Sequence, residues 1–223
     1  MSTVPELIVE DHPRTWRAGL TLLGLGLALF IVIAIPPLRS LADAIDDRAW
    51  QLVVEWENDV LVAIAEVLDF LGSTWVLAPV MIGTAAALAW LRRWPQLVAW
   101  VAAMVVSQAM IGPMKVLYGR PRPPLPLVET TSFSFPSGHA LATAAVVVAL
   151  VGVWTAPGPA RKNLTLAAAL FAVAMALSRV YLRAHWLSDV VAGAAMGSAI
   201  SMLAIVAVAH WRTTRDTTPP SEA

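Results

Sequence analysis

The 223-residue chain is strongly apolar, with 58% hydrophobic residues, 13% charged residues and a mean hydropathy of +0.71. This composition excludes a soluble domain with one ordinary core, and a formal net charge of zero gives no support to a nucleic-acid partner. The absence of cysteine excludes disulfides, thiolate metal sites and thiol redox chemistry. The sequence therefore predicts a single all-α domain integral to a membrane.

Six apolar runs have about the 20 residues that a helix needs to cross the hydrocarbon core of a bilayer. They lie at residues 17–38, 73–91, 95–117, 138–156, 163–181 and 187–211. These runs predict a six-span membrane domain over 17–211, with cytoplasmic tails at 1–16 and 212–223. The first run is too long for the apolar part of a signal peptide and follows Arg14 and Arg17, which favours an uncleaved span. Cleavage after Ala42 is the alternative.

The segment between the first two runs, residues 41–73, mixes apolar and acidic residues. Apolar side chains recur at helical spacing over 41–56 beside several aspartates, which predicts an amphipathic helix at the outer surface. A second short helix is predicted over 60–71, where Glu66 and Asp69 argue against full exposure to lipid. The segment is either a structural connector or a lip over a site that lipid enters sideways.

Basic residues predict which side of the membrane each loop occupies. With a cytoplasmic N-terminus every inner end is basic, through Arg14, Arg17, Arg92, Arg93, Arg161, Lys162, Arg212 and Arg215. On the outer side, five cations fall in two short stretches: Lys115, Arg120, Arg122, Arg179 and Arg183. Because these five oppose the usual bias, they need a functional reason.

Three polar clusters meet on the predicted outer side, namely KVLYGRPRP at 115–123, FPSGH at 135–139 and SRVYLRAHWLSD at 178–189. Ser137 stands where a helix N-cap belongs, and the free N–H groups of a helix N-terminus bind anions. Gly138 lets the backbone approach such a ligand closely. Lys115, Arg122 and Arg179 add positive charge, and guanidinium groups match phosphate oxygens. We therefore expect a phosphate ligand.

Two histidines complete this predicted site. His185 and Asp189 are four residues apart, so on a helix they share a face and Asp189 can accept the imidazole N–H. That contact fixes the tautomer and makes the other ring nitrogen more nucleophilic. His139 is expected to face the same phosphate. One histidine can then attack phosphorus while the other protonates the leaving oxygen.

The motifs K-x6-R-P at 115–123, P-S-G-H at 136–139 and S-R-x5-H-x3-D at 178–189 together resemble the type 2 phosphatidic acid phosphatase superfamily, also called lipid phosphate phosphatases. With the six apolar runs, the resemblance covers nearly the whole chain, and all three motifs in order are far more specific than one. It implies a metal-independent phosphatase with a phosphohistidine intermediate and no cofactor. His185 is then the nucleophile, Asp189 its orienting partner and His139 the general acid. The implied phosphate-binding residues are Lys115, Arg122, Ser137, Gly138 and Arg179.

Some residues near the motifs have open or structural interpretations. For Arg120 and Arg183, headgroup contact, support of a neighbouring residue and direct phosphate binding are all open. Gly193 and Gly197 have the small-x-x-x-small spacing that predicts close helix packing. His210 is interpreted as a boundary residue.

Two other classes of protein fit the sequence less well than a phosphatase. A transporter also gathers cations at a membrane face, but the chain shows no inverted repeat with helices broken at mid-span. A soluble vanadate haloperoxidase of the same superfamily does not have six spans. We expect a cell-membrane protein whose site lies on the extracytoplasmic face and takes its substrate from the bilayer.

The motifs do not rank the candidate substrates. These are polyprenyl diphosphates, phosphatidic acid and phosphatidylglycerol phosphate, with prenyl-linked sugar phosphates as the alternative. The oligomeric state is not predicted.

Overall fold

The structure of the protein is a computed structural model, which describes residues 12–216. This part of the chain forms helices, with no strand among the described residues. The helices are α1 His12–Ala34, α2 Pro36–Glu55, α3 Asp59–Leu71, α4 Thr74–Trp90, α5 Trp94–Tyr118, α6 Gly138–Trp154, α7 Pro159–Tyr181 and α8 Leu187–Asp216. The predicted all-α class is confirmed. Most of the predicted N-terminal tail (1–11) and part of the C-terminal tail (217–223) lie outside the described residues.

Within the described residues, five helical stretches are long and apolar enough to cross a membrane. They are Pro13–Ala34, Asp59–Trp90, Trp94–Tyr118, Pro159–Tyr181 and Leu187–Arg212. Each contains or overlaps one predicted span, and the second is longer than predicted because it joins α3 to α4. The remaining predicted span coincides with α6, an apolar helix of 17 residues. At about 1.5 Å per residue α6 is roughly 25 Å long, so the count of six spans stays a prediction.

The first predicted span ends too late in the chain. It was placed at 17–38, but α1 ends at Ala34 and α2 begins at Pro36. Ile35, between them, has extended backbone angles of φ −102° and ψ 109°. Proline disfavours a helical conformation in the preceding residue and is itself well suited to the first position of a new helix, so Pro36 ends one helix and starts the next.

Helices α2 and α3 occupy the segment for which two short helices were predicted. In α2 the apolar side chains of Leu41 and Ile45 are 67% and 62% exposed, whereas Asp46 is 1% exposed. The helix thus turns this carboxylate towards the protein and exposes apolar side chains, but Asp47 and Arg48 are exposed as well. An outer face that mixes apolar and charged groups fits the surface of a membrane, and the amphipathic surface helix stays a prediction.

Helix α8 lies at the centre of the bundle and packs against α1, α5, α6 and α7. Its glycines permit close approach to α6. A Cβ added at Gly193 would lie 2.6 Å from the carbonyl oxygen of Ser137, and one at Gly197 would overlap the carbonyl oxygen of Leu141. The predicted close packing is confirmed, and it fixes the start of α6 against the start of α8.

We expect Gly197→Ala to lower the melting temperature by several degrees and to reduce activity. The added methyl group must push α6 away from α8, and overpacking of this kind costs about 1–3 kcal/mol. Gly83→Ala in α4 is the matched control, because a Cβ there meets nothing within 4 Å and alanine favours a helix by up to about 1 kcal/mol. Equal melting temperatures for the two variants in detergent would contradict the close packing of α6 against α8 at Gly197.

The two ends of the bundle differ in composition. At one end the Arg93 guanidinium lies 5.4 Å from the centre of the Trp154 ring, which brings the α4–α5 turn beside the end of α6. The α4–α5 turn carries Arg92 and Arg93, and the start of α7, which follows α6, carries Arg161 and Lys162, as the predicted cytoplasmic side requires. The other end holds the three motif segments.

Candidate active site

Helix α5 delivers Lys115 and Arg122 to the motif end of the bundle. It ends at Gly119, whose φ of 53° is the left-handed conformation that glycine adopts without strain. The loop beyond it is closed by a hydrogen bond from the Ser134 N–H to the Arg120 carbonyl at 2.8 Å. The Lys115 Nζ donates to the Phe133 carbonyl at 2.5 Å, and Arg122 Nη2 donates to the same oxygen at 3.5 Å. One carbonyl therefore holds Lys115 and Arg122, two of the three cations of the first motif segment.

The second motif is anchored by an aromatic cluster. Phe135 is fully buried, and its ring centre lies 4.8 Å from those of both Phe30 and Tyr118. Two residues later Ser137 caps α6, since its Oγ accepts a hydrogen bond from the Ala140 N–H at 3.4 Å. The Ser137 N–H donates to the Asp189 carbonyl at 3.1 Å. The predicted N-cap is confirmed, and it joins the second motif to the third.

His185 lies in the turn before α8, so its contact with Asp189 is made across a turn and not along a helix. The His185 Nδ1 is 3.5 Å from Asp189 Oδ2. That oxygen also accepts hydrogen bonds from the Ser134 hydroxyl and from the Trp186 N–H. On the other side of the ring, Nε2 is 3.3 Å from Arg122 Nη1. The ring is thus held with Nε2 beside a cation of the first motif.

Burial gives this histidine an unusual protonation behaviour. The side chain is 3% exposed, and burial lowers the pKa of His185 to about 3 although Asp189 opposes the shift. Arg122 and Lys115 lower the pKa further by charge. The lowered pKa favours the uncharged imidazole, and with Nδ1–H towards Asp189 the lone pair is on Nε2, the nitrogen that faces Arg122. Such a nitrogen can act as a nucleophile.

Arg120 is a structural partner of Asp189. Its guanidinium is 1% exposed, with Nη1 2.6 Å from Asp189 Oδ1 and Nη2 2.8 Å from both Asp43 and Asp46. Ser188 accepts a further hydrogen bond from Nη1 at 2.7 Å. Helix α2 is thereby connected through Arg120 to the carboxylate beneath His185. Of the interpretations left open for Arg120, support of a neighbouring residue is the one that these contacts favour.

Asp69, near the end of α3, joins the second and third motifs. Its Oδ1 accepts a hydrogen bond from Arg179 Nη1 and lies 3.2 Å from His139 Nε2. Arg179 also contacts the turn before α8, because its carbonyl accepts the His185 N–H at 3.2 Å. Arg183, the other open case, pairs with Glu57 at 3.0 Å.

The structure thus brings the predicted site residues to one end of the bundle. The residues are Lys115, Arg122, Ser137, Gly138, His139, Arg179, His185 and Asp189. Sequence reasoning missed the polar partners Asp46, Asp69 and Ser134. For Asp69 a signal existed, because it is a carboxylate in an apolar helix. For Ser134, in a loop rich in serine and threonine, no signal separated it from its neighbours.

The chain is also similar in sequence to known proteins. The family model described as "PAP2 superfamily" matches residues 96–214. Phosphatidylglycerophosphatase B of Bacillus subtilis (strain 168) is 31% identical over 165 residues, which are 71% of this chain and 79% of that protein. Undecaprenyl-diphosphatase of Sulfolobus acidocaldarius is 39% identical over 77 residues, 34% of each chain.

Two solved structures share the fold. A transmembrane PAP2-type phosphatidylglycerolphosphate phosphatase from Bacillus subtilis superposes with a TM-score of 0.72 at 24% identity, covering 91% of this chain and 98% of that one. LpxE of Aquifex aeolicus superposes with a TM-score of 0.58 at 20% identity, covering 70% and 91%. The family match spans more than half of the chain and all three motifs. The protein therefore belongs to the PAP2 superfamily and is a multi-pass membrane phosphatase, a hydrolase of phosphoric esters.

Proposed function

We propose that the protein removes a phosphate group from a lipid phosphate monoester or diphosphate through a phosphohistidine formed on His185, without a metal ion. The observation that carries this proposal is the buried imidazole of His185, held between Asp189 at Nδ1 and Arg122 at Nε2, where burial lowers its pKa. Such a nitrogen is oriented for attack and lies next to a cation that can bind the phosphoryl group.

In the first half of the proposed reaction, Nε2 of His185 forms a bond to phosphorus as the bond to the leaving oxygen breaks. Lys115, Arg122 and Arg179 stabilise the charge on the equatorial oxygens, together with the helix N-terminus at Ser137 and Gly138. His139 gives its proton to the leaving oxygen. In the second half, His139 takes a proton from water, which attacks phosphorus and restores His185.

The substrate class follows from the family and the apolar surroundings of the site. The relatives are named as phosphatases of phosphatidylglycerophosphate and undecaprenyl diphosphate, both of which carry phosphate on a lipid. We infer that this chain also takes a lipid phosphate from the bilayer, either a polyprenyl diphosphate, phosphatidic acid or phosphatidylglycerol phosphate. A prenyl-linked sugar phosphate is the alternative.

Phosphate release from a panel of these lipids in detergent tests the proposal. We expect release from at least one member, and unchanged rates in EDTA because the charge at phosphorus is balanced by arginine and lysine. Vanadate adopts the five-coordinate geometry of the transferring phosphoryl group and should inhibit competitively. Loss of activity in EDTA with recovery in magnesium would contradict metal independence, and release from no lipid would contradict the substrate class.

We further propose that the site faces the extracytoplasmic side of the cell membrane, which is supported by the basic residues at the opposite end. Single cysteines at Glu129 and Lys162, both exposed, test this in a chain that has no cysteine of its own. An impermeant thiol reagent on intact cells should label position 129 alone. Labelling at position 162 alone would place the site in the cytoplasm.

A further inference from the structure

Asp69 holds two residues of the site from outside the three motifs. Its Oδ1 accepts a hydrogen bond from Arg179 and lies 3.2 Å from His139 Nε2. The three residues come from α3, α7 and α6. The carboxylate and the imidazole are 26% and 30% exposed, so the pair borders accessible space, whereas the Arg179 side chain is 5% exposed.

The position of Asp69 does not serve helix α3 itself. The sequence of α3, DVLVAIAEVLDFL, is otherwise largely apolar, and a carboxylate in an apolar membrane helix carries a cost that usually marks a functional residue. Asp69 also lies in the last turn, where the helix dipole disfavours a negative charge. The stabilisation of Asp69 must therefore come from its contacts with Arg179 and His139.

We propose that Asp69 is a positioning residue for the general acid, forming with His139 a second carboxylate–imidazole pair beside that of Asp189 and His185. This inference rests on the proposed function. In protonated His139, the Nε2–H is held by Asp69 and the Nδ1–H is available to the leaving oxygen. As the P–O bond breaks, the Nδ1 proton passes to that oxygen and leaves a neutral imidazole. In the second half, Nδ1 takes the proton from the attacking water.

The same carboxylate also orients Arg179. That guanidinium uses Nη1 on Asp69, while its buried Nε has no hydrogen-bond partner among the described residues. A buried guanidinium N–H without a partner is costly unless a ligand accepts from it. A phosphoryl oxygen supplies such an acceptor, so Asp69 fixes the guanidinium in a position to bind it.

The isosteric variant Asp69→Asn tests the proposal with two substrates that differ in leaving group. The leaving group of dioleoyl phosphatidic acid is a diacylglycerol alkoxide, which needs a proton, whereas 4-nitrophenyl phosphate releases a stable 4-nitrophenolate, which does not. We expect kcat to fall about 10- to 100-fold with phosphatidic acid and less than about 5-fold with 4-nitrophenyl phosphate. KM should rise by a similar factor for both, because the contact of Arg179 is shared.

Glu66→Gln is the matched control, because Glu66 is an exposed carboxylate one turn earlier on α3. It should leave both activities unchanged. In a His139→Ala background, Asp69→Asn should lower kcat with phosphatidic acid by no more than about 3-fold, since the group it positions is gone. If Asp69→Asn lowered kcat with phosphatidic acid as much in the His139→Ala background as in the wild-type protein, the proposal would be overturned.

An equal loss of kcat with both substrates, or no loss with either, would also overturn the positioning role. Asp69→Glu keeps the carboxylate on a longer side chain. Its loss of kcat should be smaller than that of Asp69→Asn, and again larger with phosphatidic acid than with 4-nitrophenyl phosphate. If Asp69→Asn does not fold, an equal loss of kcat with both substrates in Asp69→Glu would overturn the proposal. A wild-type protein that hydrolyses neither substrate would instead contradict the proposed function, which separates the two failures.

Discussion

His185→Ala is expected to abolish phosphatase turnover, with a loss of more than about 10⁴-fold in kcat. The variant removes the nitrogen that bonds to phosphorus, and no other imidazole in the described residues occupies the position between Asp189 and Arg122. Phosphate release from a lipid phosphate in detergent measures the loss. His210→Ala, near the far end of α8, is the control and should retain activity.

A covalent intermediate gives this prediction a second measurement. Rapid acid-free quenching with a ³²P-labelled substrate should leave label on the wild-type protein and none on His185→Ala. In His139→Ala the label should accumulate with a good leaving group, because that group departs without an acid while water attack lacks its base. Near-normal turnover in His185→Ala would show that the mechanism is wrong.

Arg122→Ala is expected to lower kcat/KM by about 100-fold or more. Arg122 Nη1 lies 3.3 Å from His185 Nε2, so its charge acts where negative charge develops on the phosphoryl oxygens. Arg122→Lys should recover only part of the loss, because lysine keeps the charge but not the planar pair of donors. Arg161→Ala, at the opposite end of the bundle, is the control.

Arg120→Ala should show a different pattern from Arg122→Ala. It leaves the buried carboxylates of Asp46 and Asp189 without their cation, which costs roughly 3–5 kcal/mol and lowers the yield of folded protein. Per mole of folded protein, however, its loss in kcat/KM should be smaller than that of Arg122→Ala. The reverse ranking would mean that the first motif is assigned two residues out of register.

Much of the helical framework was predictable because a bilayer imposes a length and a composition on each span. The proline at position 36 is visible in the sequence, but a hydropathy value averaged over a window of residues does not detect the break that it causes. The convergence of the three motifs at one end of the bundle was predictable from the order of the apolar runs, and Ser137 and Gly197 behave as their residue types indicate. Hydropathy and motif spacing do not indicate which residues of distant segments contact each other.

Asp69 and Asp46 illustrate that limit. Each lies more than 70 residues from the cation it contacts in the third or first motif, and neither belongs to a repeating pattern that would point to that partner. In the sequence, Asp46 stands beside Asp47 and both fit the polar side of an amphipathic helix. Only the packing of α2 against the start of α8 separates the buried carboxylate from its exposed neighbour.

The ion cluster around Arg120 also has a consequence for biogenesis. Its members come from α2, from the loop after α5 and from α8, which are synthesised at early, middle and last stages of translation. Until the last segment docks, Arg120 lacks Asp189, and until α2 docks it lacks Asp43 and Asp46. All of these ion pairs are therefore made only in the finished bundle, so a partly assembled chain holds carboxylates of α2 or α8 without the cation that they contact in the folded protein.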